Sequence, residues 1–242
     1  MPLKTIPAAR RVEQAGARPV VDFIFMLTRH DQTVVDCLET FDSIRSVGVW
    51  HVGFKDVGVS METLMALNKA IKNSGAKSYM EVVSETADDC LRSARTAVEI
   101  GVDRLLGGTE IEPTLRILAG TDIEYMPFPG RPEGHPTRLG GSPAVVEEDC
   151  RRFAALGCAG CDLLAYRATE AEPLDLVRAA RKGMGGYLVV AGSIDSPERI
   201  RAVAEAGADG FTIGTAALEG AFSPRKGSLA SQLGDILEAC RL

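Results

Sequence analysis

The sequence predicts an α/β protein built as a single parallel (β/α)8 TIM barrel, on three observations. Short apolar runs alternate eight times with helix-patterned stretches within 242 residues, a length one such barrel commonly needs. The chain carries 25 glycines and few aromatics, which suits many short turns between elements. Residues 78–113 and 187–220 also follow the same course, so the barrel reads as two related halves and residues 1–242 as one domain. An open doubly wound sheet is the alternative, but no dinucleotide fingerprint follows the first strand.

The elements are justified in order. Residues 20–27, VVDFIFML, form the first strand, closed by Thr28-Arg29-His30-Asp31. A helix follows with Asp31 or Thr33 as its cap and Val34, Val35, Leu38 and Phe41 as its apolar face. The second strand covers 47–54 and runs into Lys55-Asp56; a helix from Ser60 stops near Gly75. The third strand is 79–83, ending Ser84-Glu85-Thr86, and the fourth is 102–106, ending Gly107-Gly108-Thr109. The fifth, 123–128, opens the segment 129–143, whose density of Pro and Gly predicts an irregular active-site loop or lid. A helix over 144–156 leads to a sixth strand at 161–166, and Pro173 begins the next helix.

Residues 187–220 supply the last two units. Tyr187-Leu-Val-Val-Ala is a strand, Gly192-Ser193 its loop, and Ser196-Pro197-Glu198 an N-cap, a first-turn proline and a first-turn acid. Gly207 ends that helix, and Phe211-Thr-Ile runs to Gly214-Thr215. Two neighbouring glycine loops after strands are what backbone phosphate cradles need, because the main chain can approach an anion closely there. Ordinary βα turns with no ligand would read the same way. In the first half, Gly108 and Thr109 match Gly214 and Thr215, so a second phosphate contact is expected there. Against it, Glu85 stands where the second half has its Gly-Ser turn.

Composition limits the partners. A net charge of -6 argues against nucleic acid, and no apolar run approaches membrane-spanning length. Residues 1–16 lack the apolar core of a secretory signal, which predicts a cytoplasmic protein. Cys37, Cys90 and Cys240 read as buried small apolar residues, and the Cys158/Cys161 pair lacks the second pair a zinc site would need. No metal and no cofactor are expected. The expected partner is a phosphorylated small molecule, with homo-oligomerisation left open.

The motifs Val190-Ala191-Gly192-Ser193, 206–210 (AGADG) and 213–218 (IGTAAL), with the half-barrel repeat, make the chain resemble the phosphoribosyl isomerase and synthase family of histidine biosynthesis, within the phosphate-binding barrels. The resemblance covers about a quarter of the chain strongly and implies a phosphorylated ligand held by Gly192, Ser193, Gly214 and Thr215. That family's isomerase carries aspartates at the ends of strands one and five. Here those ends read Phe25-Met26-Leu27-Thr28 and Met126-Pro127-Phe128, so the resemblance does not extend to that reaction.

Reactive groups of such barrels sit at the C-terminal strand ends. With Trp50, Val52 and Phe54 outward, the alternation of a strand turns His51, Gly53 and Lys55 inward, and Glu81 follows on the third strand. Lys55 and Glu81 then meet inside the barrel, either as a catalytic pair or as a structural ion pair, with Asp56 as a second acid–base group or a turn cap. Arg29 and Arg167 are placed to bind phosphate or carboxylate, unless they pair with acids such as Asp31 or Glu170. Arg131 and His135 lie on the long loop and are placed to close over a substrate. The expected activity is a metal-independent, isomerase-type proton transfer on a small phosphorylated sugar or related carbonyl compound. A Schiff-base aldolase or lyase using Lys55, and a non-catalytic phosphometabolite-binding barrel, are the alternatives.

Overall fold

The computed structural model of the chain describes residues 21–82, 86–134 and 136–241; the readings made for 1–16, for Ser84 and Glu85 and for His135 concern residues outside these. Eight parallel strands form one sheet: β1 (Asp22–Met26), β2 (His51–Lys55), β3 (Lys77–Val82), β4 (Arg104–Gly107), β5 (Glu124–Met126), β6 (Gly160–Leu163), β7 (Tyr187–Val190) and β8 (Gly210–Ile213). Neighbours in the chain are neighbours in the sheet, and β8 pairs with β1. The remaining gap is bridged where Ala159 N–H donates to Tyr125 O and Asp162 N–H to Pro127 O, each at 3.0 Å. The architecture is therefore the (β/α)8 barrel that the alternating pattern predicts.

Helices α1 (Cys37–Ile44), α2 (Met61–Asn73), α3 (Ala87–Ile100), α4 (Ile111–Leu118), α5 (Pro143–Leu156), α6 (Pro173–Gly183), α7 (Pro197–Ala206), the one-turn α8 (Thr215–Leu218) and α9 (Leu229–Ala239) follow the strands. Their starts are written in the sequence. Ser60, Ser142, Ser196 and Ser228 each accept a first-turn N–H, and Pro143 and Pro197 occupy first-turn positions. The main core lies between the helices and the outer face of the sheet. A second, smaller cluster of Ile24, Met26, Tyr79, Leu106, Met126 and Val189 fills the barrel itself. Among the described residues no helix is long and apolar enough to cross a membrane.

Two segments depart from the sequence expectation. No helix starts at Asp31 or Thr33: Thr28–Arg29 and Gln32–Thr33 pair as an antiparallel hairpin, and α1 begins only at Cys37. The long Pro/Gly segment is not irregular throughout, because Arg131–Glu133 pairs with Arg138–Gly140. A two-stranded ribbon has only edge strands, so Pro132 deprives no inner ladder of a donor.

Polar groups close the N-terminal end of the barrel. Arg104 donates from Nε to Glu124 at 2.5 Å and from Nη1 to the Tyr79 hydroxyl at 2.6 Å. Since that hydroxyl accepts from arginine, its own proton goes to His51 Nδ1 at 2.8 Å, which leaves His51 Nε2 facing Asp22 at 3.8 Å. Tyr187 donates to Asp22 at 2.7 Å, and Arg104 stacks over the Tyr187 ring at 4.3 Å. Burial pushes the Tyr79 hydroxyl up to about 12 and depresses His51 from the ordinary histidine value, with Asp22 opposing the latter shift.

Candidate active site

At the other end of the barrel a cavity of ≈ 620 Å³ opens among the loops that follow the strands. Its floor is charged. Lys55 closes β2 in register with Glu81 of β3, which in turn pairs with Leu106 of the barrel interior, so both side chains face inward. The Lys55 ammonium lies 3.6 Å from Glu81 Oε2 and donates to Asp31 Oδ1 at 2.6 Å. Lys55 is 4% exposed, so these contacts form in a largely desolvated place.

Asp31 reaches Lys55 because of the β1 hairpin. His30 and Asp31 are its two central residues, both with positive φ (50° and 59°), the pattern of a tight I′ turn. Non-glycine residues hold that conformation at a cost, so the surroundings must impose it. Thr33 does so: its hydroxyl accepts from Lys55 N–H at 2.9 Å and donates to Lys55 O at 2.7 Å, while its N–H binds Val57 O. The hairpin lies so close to the β2 exit that a Cβ on Gly58 would stand 2.4 Å from Thr33 O. A carboxylate thus serves the end of β1 after all, delivered by a turn rather than by the strand.

The opposite wall carries the two glycine loops, with Gly192, Ser193, Gly214 and Thr215 all lining the cavity. Gly192 (φ 76°) and Ser193 (φ 58°) both adopt the left-handed region. A side chain at Gly192 would collide with Arg167, whose Nε would be 2.4 Å from the added Cβ. Arg167 therefore lies directly over this loop, with Nη2 4.0 Å from Asp31 and Nη1 donating to Thr137 O at 3.4 Å. Arg199 of α7 adds a second cation at the rim, donating to Ser193 O at 2.6 Å and stacking over Tyr166 at 4.8 Å. At Thr215 the one-turn helix α8 begins, with the Ala217 and Leu218 N–H groups donating to Gly214 O at 3.0 and 3.1 Å.

The structure brings Lys55, Glu81, Arg167, Gly192, Ser193, Gly214 and Thr215 to one cavity. Other expected positions lie elsewhere. Asp56, next in line after the inward Lys55, turns to the helical layer and accepts from Ser93 of α3 at 2.5 Å. Gly108 and Thr109 do not line the cavity, and Thr109 hydrogen-bonds the buried Cys90. Arg131 is engaged in a bidentate pair with Glu170 at 2.8 and 2.9 Å, half exposed on the second hairpin. Arg29 points to Glu219 at the rim, 3.7 Å away. Cys161 approaches Cys150 at 3.6 Å rather than Cys158. Among the described residues no group of three or more His, Cys, Asp or Glu side chains is arranged to hold a metal ion.

Two functional candidates escape a scan of strand ends. Asp31 hides in a turn that lacks the usual Asn-Gly signature. Asp162, in register with the interior Val189, points into the barrel from the middle of β6. It is fully buried, and neither carboxyl oxygen has a hydrogen-bond partner among the described residues. Burial holds its carboxyl well above the usual carboxylate range, reinforced by Glu81 and opposed by Lys55 and Arg167. The one signal in the sequence was an acid inside the apolar run CDLLA at 161–165.

No described protein family matches the sequence, and no curated protein matches it either. Solved structures do resemble its fold. A protein of Aquifex aeolicus VF5 superposes with a TM-score of 0.66 at 13% identity, over 93% of this chain and 95% of that one. Native KDPGal gives 0.63 at 12% identity, over 90% and 93%. The tryptophan synthase complex of Pyrococcus furiosus gives 0.63 at 13% identity, over 92% and 98%. At such identities the likeness concerns the barrel fold.

Proposed function

We propose that this chain is an enzyme that moves a proton between neighbouring carbons of a small phosphorylated sugar or related carbonyl compound. The observation that carries this reading is one cavity with a buried Lys55, paired with Asp31 and Glu81, on its floor and the Gly192-Ser193 and Gly214-Thr215 loops on its wall. The phosphate sits against the loop amides with Arg167 and Arg199 beside it, as the resemblance to phosphate-binding barrels implies. The carbonyl then reaches the floor. Glu81 takes the proton from the carbon next to the carbonyl, and the Lys55 ammonium, oriented by Asp31, donates to the carbonyl oxygen as the enediol forms. Glu81 then returns the proton to the other carbon while the hydroxyl on the first carbon gives its proton back to Lys55, which completes the isomerisation with both groups regenerated.

The barrel likeness to KDPGal and to the tryptophan synthase complex supports an enzyme-bearing fold without naming a reaction. A Schiff base at Lys55 is the second reading, favoured by the burial of this lysine on the floor. It requires the neutral amine, so Lys55 must first give a proton to Asp31 or Glu81. The test is exchange of carbon-bound hydrogen for deuterium from heavy water across a panel of keto-phosphates. Exchange lost in Lys55→Met supports proton transfer, and a borohydride-trapped adduct at Lys55 moves the assignment to the Schiff base. Exchange that persists in Lys55→Met sinks both.

A further inference from the structure

Asp162 has no part in the reaction just described, yet it is the anomaly of the barrel interior. It lies fully buried below the site, and its two carboxyl oxygens have no partner among the described residues. An ionised carboxylate without hydrogen bonds in such an interior is far costlier than the acid form. The groups facing it extend the same reasoning. Glu81 comes from β3 and Lys55 from β2, with Arg167 above, and the neighbouring strands β5 and β7 present Met126 and Val189 to the interior. Asp31 holds the Lys55 ammonium from the β1 hairpin. On its own strand, Cys161 turns the other way, toward Cys150 of α5.

The charge count of the floor follows from that. With Asp162 un-ionised, the described groups around it balance: the carboxylates Asp31 and Glu81 face the cations Lys55 and Arg167, while Asp195, Glu219 and Arg199 stand higher on the cavity wall. An ionised Asp162 would add a negative charge beneath an anionic ligand. We propose that Asp162 is a positioning residue: held un-ionised under Lys55 and Glu81, it adds no negative charge to the floor so that a phosphorylated ligand is accepted, and its ionisation as pH rises turns anions away. This rests on the reading of the cavity as a phosphate-accepting site.

Two measurements on the full chain test it. Infrared spectroscopy at neutral pH should show the C=O stretch of an un-ionised carboxylic acid in the wild type, absent from Asp162→Asn or, if that variant does not fold, from Asp162→Leu. Titration with inorganic phosphate should show the wild-type affinity falling about tenfold through the ionisation of Asp162, the order expected for one added like charge in a partly screened site. The Asn variant should not follow this fall. No acid band in the wild type overturns the proposal, and so does an equal loss of affinity with rising pH in wild type and variant. If phosphate binds neither protein at any pH, the phosphate reading and the coupling fail together, while the band still decides the ionisation state.

Discussion

The barrel carries two buried polar layers, and they are built on opposite principles. At the N-terminal end, Arg104, Tyr79, His51, Asp22, Tyr187 and Glu124 are joined by four hydrogen bonds of 2.5–2.8 Å and the 3.8 Å approach of His51 to Asp22. At the C-terminal end, Lys55 is shared between two carboxylates, Asp31 is held in a left-handed turn, and Asp162 has no hydrogen-bond partner among the described residues. A closed network rigidifies and stabilises; an open one, next to a cavity, leaves interactions to be completed by a ligand. On the proposed reading, stability is concentrated below the apolar plug of Ile24, Met26, Leu106, Met126 and Val189, and chemistry above it.

The comparison can be broken in four places, taken from the largest expected effect downward. Lys55→Met should lower turnover of a keto-phosphate per folded molecule by about 10²- to 10⁴-fold, the usual contribution of a positioned proton donor. Arg104→Leu should act on stability instead. It strands the buried Tyr79 hydroxyl and removes the stacking on Tyr187, so chemical denaturation should show a loss of about 2–4 kcal/mol with turnover of the folded fraction intact. If Arg104→Leu abolished turnover without loss of stability, the division of labour would be reversed.

A smaller effect concerns pH. Burial lowers the folded-state pKa of His51 below the unfolded value near 6.5, so its contribution is fully present above that value and is lost as pH falls through the folded pKa. Protonation also takes away the acceptor of the Tyr79 hydroxyl. The wild type should therefore lose stability below about pH 6.5 more steeply than His51→Gln, as followed by denaturation at successive pH values. A steeper loss in the variant would contradict this. The smallest effect belongs to Arg131→Ala, which breaks a half-exposed pair with Glu170 and should change stability by less than about 1 kcal/mol.

The sequence exposes the barrel readily, because eight apolar runs with capped helices between them leave few other topologies. The facing of Lys55 and Glu81 was also legible, since strand alternation and adjacency suffice to orient both. The same alternation, carried one residue further, turns Asp56 away from the cavity. What stayed hidden depended on tertiary contacts. Asp31 is aimed by the clasp of Thr33 on Lys55, and nothing local in His30-Asp31 announces a hairpin. Asp162 lies below the strand ends, where reactive groups are usually sought. The repeat placed Gly108 and Thr109 in parallel with Gly214 and Thr215, but Thr109 is committed to Cys90 and only the second pair lines the cavity.

The most direct test of the central assignment is an NMR titration of the ¹⁵N-labelled chain with inorganic phosphate, following backbone amides. The amide signals of Gly192, Ser193, Gly214 and Thr215 should shift together and saturate along one binding curve. Saturating shifts confined to other residues, or no saturable shift at these four, would contradict the account.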